Sequence, residues 1–179
     1  MAGPRRPETP VTPDAKRARR LRWAVALAVV WQFAAERERP AEAKMGEPAP
    51  AIRLASPEGR EYELRPVDGE AVVLNFWASW CLPCRAEASE LNDMVQRHGD
   101  RVRVYAINLT DKDRVEDVRS FVREYGLKPP VLLDKGSVAA ESYHIASLPT
   151  TYVLDEQGLV AWRKLGPVTR SELEEALGL

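Results

Sequence analysis

The stretch that decides the fold runs Ala71-Val72-Val73-Leu74-Asn75-Phe76-Trp77-Ala78-Ser79-Trp80-Cys81-Leu82-Pro83-Cys84. Its first eight residues are almost all apolar, as in a strand that is buried on both faces. The only two cysteines of the chain follow, and a helical pattern begins directly behind them. The N-terminus of a helix offers unpaired N–H groups and a partial positive charge, and both favour a thiolate over a thiol. The placement of Cys81 and Cys84 therefore predicts a redox-active dithiol.

Two other interpretations of the cysteine pair stay open at this point, a structural disulfide and part of a metal site. A structural zinc site needs four ligands, and the only histidines, His98 and His144, lie far apart in the sequence. We therefore expect no metal. A copper-binding chaperone remains an alternative, because Cys81, Cys84 and His144 would offer ligands for Cu(I).

The chain from residue 51 onward alternates between strand and helix patterns. Two short runs around Pro57-Glu58-Gly59 predict a hairpin, and a helix is predicted over 82–97 with Gly99 behind it. Further strands are predicted over 72–78, 102–109, 131–133, 151–154 and 159–162, and further helices over 113–125, 137–143 and 171–177. This order predicts an α/β fold, a three-layer sandwich whose mixed central sheet carries an N-terminal β-hairpin and an inserted helix.

Three separated motifs carry a family resemblance: residues 75–87, residues 121–134, and Leu148-Pro149-Thr150-Thr151-Tyr152. On these motifs, residues 46–177 resemble the thioredoxin superfamily. More narrowly, they resemble the TlpA/ResA-type membrane-anchored thiol–disulfide oxidoreductases, with a redoxin or AhpC/TSA-like domain. The resemblance implies a thioredoxin-like fold and a protein disulfide reductase that needs no cofactor.

The resemblance also implies catalytic roles for three residues. Cys81 would be the attacking thiol, since it sits outside the helix and is expected to be the more exposed, and Cys84 would resolve the mixed disulfide. Asn75 replaces the buried Asp of thioredoxins proper, and Glu87 stands where ResA-like proteins have a proton-exchanging Glu. Burial would raise the pKa of Glu87; the alternative is a surface Glu near a helix start. Ser89 replaces the Pro that often kinks this helix in the family, so a straighter helix is expected.

Four residues are expected at the substrate surface. The family has a cis-proline that faces the cysteines, and Pro149 occupies that place, where the backbone of Leu148 can pair with a substrate strand; a trans proline in a turn is the alternative. Trp80 is either a lid beside the site or a partly buried core aromatic. Pro83 removes a backbone donor in the first helical turn, and with Leu82 it helps to tune the reduction potential.

The N-terminus predicts an export signal. Residues 1–20 form a basic tail that we expect in the cytoplasm, and residues 21–35 are predicted to be a signal-anchor or transmembrane segment. The apolar run over 23–35 makes only roughly 20 Å of helix, against a hydrocarbon core of roughly 30 Å. An anchor would therefore draw in Leu21 and Arg22.

Two alternatives to an anchor remain, and both concern the segment ahead of the domain. Ala41-Glu42-Ala43 is an A-x-A site at which a signal peptide could be cleaved, which would secrete the protein. A cytosolic extension is the third interpretation. Residues 36–50 are predicted to be a tether, and residues 46–179 the thioredoxin-like domain.

The charge distribution argues against nucleic acid as a partner. Residues 1–43 carry nine Lys or Arg against five Asp or Glu, whereas residues 44–179 carry 17 against 22. The domain is thus mildly acidic, unlike nucleic-acid-binding domains.

The resulting expectation is a monomeric enzyme in the cell membrane, spanning it once, with its catalytic domain outside the cytoplasm. Its substrates would be protein disulfides, such as that of apocytochrome c during cytochrome c maturation, and a membrane thiol carrier would supply electrons. A thiol oxidant and a peroxidase of the same superfamily are the alternative enzymes.

Overall fold

The computed structural model describes residues 42–65 and 69–179. The predicted basic tail (1–20), the predicted membrane segment (21–35) and the first part of the predicted tether (36–41) lie outside the described residues. Within the described ranges, no helix is both long and apolar enough to cross a bilayer.

The elements follow the predicted order, and their bounds differ from the predicted ones by a few residues. The described residues form β1 (Arg53–Ala55), β2 (Glu61–Glu63), β3 (Ala71–Trp77), α1 (Leu82–His98), β4 (Val102–Asn108), a 3-10 turn (Thr110–Lys112), α2 (Val115–Tyr125), β5 (Val131–Leu133), α3 (Val138–Ser142), β6 (Thr150–Leu154), β7 (Val160–Leu165) and α4 (Arg170–Leu177). The thioredoxin-like α/β fold is confirmed.

The strands form one mixed sheet in the order β2-β1-β5-β4-β3-β6-β7. The strand pairs β3–β4 and β4–β5 are parallel, and the other neighbours are antiparallel. Strand β3 lies between β4 and β6 and is buried on both faces, which explains its nearly unbroken apolar sequence.

Side chains of β3 alternate between the two faces of the sheet, as the strand period of two requires. Val72, Leu74 and Phe76 pack into the cluster that contains Tyr143 behind α3. The other face is covered by α1, α2 and α4, whose apolar residues pack against β3 and β4. Asn75 lies on this second face and is opposite Thr151 of β6. The register thus places two polar residues beneath α1.

The described end of the predicted tether, residues 42–50, lies against the domain. Ala43 is buried, and its N–H donates to Ser142 O at 2.8 Å. Gly46 N donates to Val160 O at 2.9 Å, and Val160 N donates to Glu47 O at 2.9 Å. These are backbone bonds, so the side-chain pattern that predicted a tether contained no sign of them.

Candidate active site

The two cysteines lie where the chain passes from β3 into α1. Cys81 is the N-cap of α1, and its Sγ accepts a hydrogen bond from Cys84 N at 3.3 Å. The two sulfur atoms are bonded to each other. Pro83 lies in the first turn of the helix, where an N–H group would have no helical partner. Cys81 is expected to be the more exposed cysteine, but both are buried: Cys81 is 4% exposed and Cys84 is 2% exposed.

Apolar side chains protrude around the covered sulfur atoms. Trp80 is 55% exposed and Leu82 is 70% exposed. The indole Nε1 of Trp80 donates to Lys112 O at 2.7 Å, so the ring is fixed although it is exposed. Trp80 is therefore a surface residue beside the disulfide and not part of the core.

The Leu148–Pro149 peptide bond is cis, which confirms the predicted isomer. Leu148 is half-buried and packs against the apolar cluster that contains both cysteines. It also lines a pocket of about 100 Å³ together with Trp80 and Ile145. Gly166 N donates to Pro149 O at 2.8 Å and holds the proline against the end of β7. The structure thus places Leu148 and Trp80 on one surface beside the disulfide.

Glu87 is buried in α1, one helical turn after Cys84, with 2% of its surface exposed. Its Oε1 accepts from Asn75 Nδ2 at 2.8 Å, and its Oε2 accepts from Val168 N at 3.0 Å. Burial raises the pKa of Glu87 to about 7, and the bonds from Asn75 and Val168 oppose that rise in part. A carboxyl group with this pKa can both take up and release a proton near neutral pH.

Two other positions singled out by the sequence lie apart from this arrangement. Helix α1 runs without interruption through Ser89, which is exposed. His144 is half-exposed and lies 3.6 Å from Glu42. Among residues 42–65 and 69–179, no three Cys, His, Asp or Glu side chains converge on a common metal position, so His144 does not join the cysteines.

Sequence reasoning missed Asp113, which is the first residue of the helix predicted over 113–125. The residue is half-buried ahead of α2, and its carboxylate binds the turn that leads into Cys81. An Asp at the start of a predicted helix is a weak signal for such a bond, because its usual role is to cap that helix. Thr151 was also missed, and its Oγ1 accepts from Asn75 Nδ2 at 3.0 Å.

Comparisons with known proteins agree with this geometry. The pattern of the AhpC/TSA family matches residues 45–163. The thioredoxin-like protein YneN of Bacillus subtilis is 38% identical over 75% of this chain and 79% of its own. The thiol-disulfide oxidoreductase ResA of Bacillus thuringiensis is 33% identical over 84% of this chain and 85% of its own.

A solved structure, that of StoA from Bacillus subtilis, superimposes with a TM-score of 0.64 and 30% identity, and the match covers 73% of this chain and 98% of StoA. The cysteine pair at the start of α1, the fold around it and these relatives lead to one conclusion. The chain belongs to the AhpC/TSA family of the thioredoxin superfamily, and within it to the TlpA/ResA-type thiol–disulfide oxidoreductases.

Proposed function

We propose that this thiol–disulfide oxidoreductase works as a reductase of protein disulfides outside the cytoplasm. In the dithiol form, the Cys81 thiolate attacks one sulfur of a target disulfide, and the other target sulfur leaves as a thiolate. Cys84 then attacks the Cys81 sulfur of the mixed disulfide and releases the second target thiolate. The target gains two electrons and becomes a dithiol. The oxidoreductase is left with a disulfide between Cys81 and Cys84.

The observation that carries the dithiol chemistry of this proposal is the buried carboxyl of Glu87, one helical turn after Cys84. Cys84 must lose a proton before it can attack, and its surroundings exclude water, since it is 2% exposed. Glu87 is on the same helix three residues later, and its pKa of about 7 suits the removal and return of that proton.

The proposed substrate surface consists of Trp80, Leu82, Pro83 and Leu148, and the predicted Pro149 is buried next to Leu148. Trp80, Leu82 and Pro83, which lie beside or between the two cysteines, are exposed. Leu148 is half-buried. Among the described contacts, the Leu148 N–H donates to no protein acceptor, and we propose that it donates to an extended substrate strand.

We propose a location at the cell membrane, with residues 21–35 as a single-pass anchor and the domain on the outer side. The basic cluster ahead of this apolar run supports this orientation. A reductant in an oxidising compartment needs electrons from inside the cell, so a membrane thiol carrier is the proposed donor. Apocytochrome c is the proposed substrate on the basis of the TlpA/ResA resemblance, and a secreted form released by cleavage is the alternative.

The decisive experiment traps the substrate. Replacing Cys84 by Ala removes the resolving thiol, so a target attacked by Cys81 should remain covalently bound and can be identified after release with a reductant. The double variant Cys81→Ala, Cys84→Ala is the control and should trap nothing. Equal recovery of proteins from both variants would contradict the proposal.

The direction of electron flow is tested separately by the reduction potential. A reductase should be markedly more reducing than strong oxidants, whose potential is about −120 mV. A potential near that value would make the chain an oxidant. Turnover of hydrogen peroxide by the purified chain would indicate a peroxidase, and stoichiometric Cu(I) binding without disulfide reduction would indicate a copper chaperone.

A further inference from the structure

The turn that leads into Cys81 is bound to a carboxylate from another element. Asp113 Oδ2 accepts from Ser79 N at 2.6 Å, and Oδ1 accepts from Ser79 Oγ at 2.6 Å. The same carboxylate accepts from Asn108 Nδ2 at 2.8 Å and from Arg114 N at 2.9 Å. Four donors on two oxygen atoms fix both the orientation of the carboxylate and the position of the turn.

A second bond joins the same two segments. Trp80 Nε1 donates to Lys112 O, so the two residues that precede Cys81 are both bound to the connection between β4 and α2. The turn itself closes through Cys81 N, which donates to Ala78 O at 3.1 Å. These bonds tie the position of the turn before the N-cap cysteine to that of Asp113.

The carboxylate also brings a negative charge close to the N-terminus of α1. Ser79 lies two residues before Cys81, which places the carboxylate within roughly 10 Å of the Cys81 backbone. The helix N-terminus favours a Cys81 thiolate, as does Arg85, whose Nη2 lies 3.5 Å from Ser79 O. Lys112 and Arg114 flank Asp113, and Arg114 also lies 4.0 Å from Asp117. Among the described residues, Asp113 is the acid that directly contacts the turn.

We propose that Asp113 is a positioning residue for the cysteine pair, and that its charge favours the Cys81 thiol over the thiolate and thereby the reducing direction of the proposed function. A more acidic attacking thiol stabilises the dithiol form and makes a pair more oxidising. A carboxylate beside the helix end opposes that effect. This inference rests on the proposed redox function but concerns a residue outside the proposed catalytic set.

The test compares three variants of the full-length chain. Asp113→Asn keeps the shape and one carbonyl oxygen but removes the charge and one acceptor oxygen, whereas Ser79→Ala keeps the charge and removes one hydrogen bond. Asp117→Asn removes a neighbouring charge that does not contact the turn. The readouts are the pH dependence of Cys81 alkylation in the reduced protein and the equilibrium of each variant with glutathione.

Asp113→Asn should lower the Cys81 pKa by about half a unit or more. It should also shift the glutathione equilibrium about threefold towards the dithiol form, which corresponds to about 15 mV. Ser79→Ala, which loses one positioning bond but keeps the charge, should shift both values less than Asp113→Asn does. Asp117→Asn should leave them close to those of the unchanged chain. The inference is overturned if Asp113→Asn shifts neither value more than Asp117→Asn does, or if Ser79→Ala shifts them equally.

The disulfide reductase activity of the unchanged chain shows whether the role of Asp113 fails alone or the proposed function fails with it. If it reduces insulin disulfides in the presence of dithiothreitol while Asp113→Asn behaves like Asp117→Asn, only the role of Asp113 fails. If the unchanged chain does not reduce disulfides at all, the proposed function fails with it.

Discussion

At the residue scale, Glu87 is a carboxyl group held where its charged form is unfavourable. The folded chain binds its proton more tightly than the unfolded chain does, because burial raises the pKa from 4.5 to about 7. The contribution of Glu87 to stability is therefore complete below about pH 4.5 and is lost as the pH rises through about 7. The size of this contribution is about 3 kcal/mol.

Glu87→Gln should remove this pH dependence, because Gln stays neutral throughout. We expect the free energy of unfolding of the unchanged chain to fall relative to that of the variant by a few kcal/mol between pH 4.5 and pH 8. Chemical denaturation at several pH values measures the difference. Burial raises the pKa of Asp134 as well, so some pH dependence should remain in both proteins.

Glu124→Gln is the matched control, since Glu124 is exposed on α2. It should leave the pH dependence of unfolding unchanged. If the difference between the Glu87→Gln variant and the unchanged chain proved constant with pH, Glu87 would not titrate with a raised pKa.

Asn75→Asp would place a second carboxyl group against Glu87, at the 2.8 Å contact that the amide now makes. Two carboxyl groups this close share one proton and cannot both ionise without a large cost. We expect a loss of about 2–3 kcal/mol in the free energy of unfolding at pH 8 and a smaller loss at pH 5. Thermal unfolding at the two pH values measures it.

Thr151→Val is the comparison for this variant, because it removes the other hydrogen bond of the Asn75 amide without adding charge. It should cost about 1 kcal/mol at both pH values. A loss from Asn75→Asp that was the same at pH 5 and pH 8 would argue against a shared proton.

At the scale of elements, helix α3 depends on a buried side chain for its start. Asp134 is fully buried, and its two oxygens accept from Ala139 N at 2.9 Å and Ala140 N at 2.8 Å. A helix of five residues gains little from its own hydrogen bonds. This interaction therefore helps to position the loop that runs from α3 to the cis-proline.

Asp134→Asn should destabilise the protein by about 1–2 kcal/mol, because an amide can accept only one of the two bonds. Hydrogen exchange of the Ala139 and Ala140 amides should accelerate more than that of amides in β3. Glu141→Gln, on the exposed side of the same helix, is the control and should exchange normally. Unchanged exchange in the Asp134→Asn variant would show that α3 forms without this cap.

At the scale of the whole molecule, residues 42–49 belong to the folded body. Three backbone hydrogen bonds join this segment to the start of β7 and the turn before it, and a fourth joins it to Ser142. The segment pairs with the beginning of the edge strand β7, which would otherwise present unpaired backbone groups.

A chain that begins at Pro50 should therefore be less stable than one that begins at Pro40. Loss of four backbone hydrogen bonds predicts a difference of about 2–4 kcal/mol in the free energy of unfolding. Urea denaturation of the two shortened chains measures it, with the full-length chain as reference. Equal midpoints for the two would mean that the docked segment adds no net stability.

The sequence was sufficient to predict those parts of the molecule that the pattern of side chains specifies. The apolar run of β3 predicted a central strand, and the CxxC behind it predicted a redox pair at a helix start. Glu87 and the cis form of Pro149 were predicted through the family resemblance. Asp113 was missed because its bonds to the turn before Cys81 reach Ser79, which lies 34 residues away along the chain. The docking of residues 42–49 was missed because backbone hydrogen bonds do not depend on side-chain identity and cannot be predicted from composition.

The near-complete covering of the two sulfur atoms has a consequence for selectivity. Exchange requires an incoming sulfur to approach a disulfide directly, and its rate depends on access. A small, freely diffusing thiol gains nothing from Trp80 or Leu148, and the two cysteines that it must reach are only 4% and 2% exposed. A polypeptide seated on those side chains is guided to the same atoms. We therefore expect the cysteine pair to exchange more slowly with small thiols than with polypeptides that dock on Trp80 and Leu148.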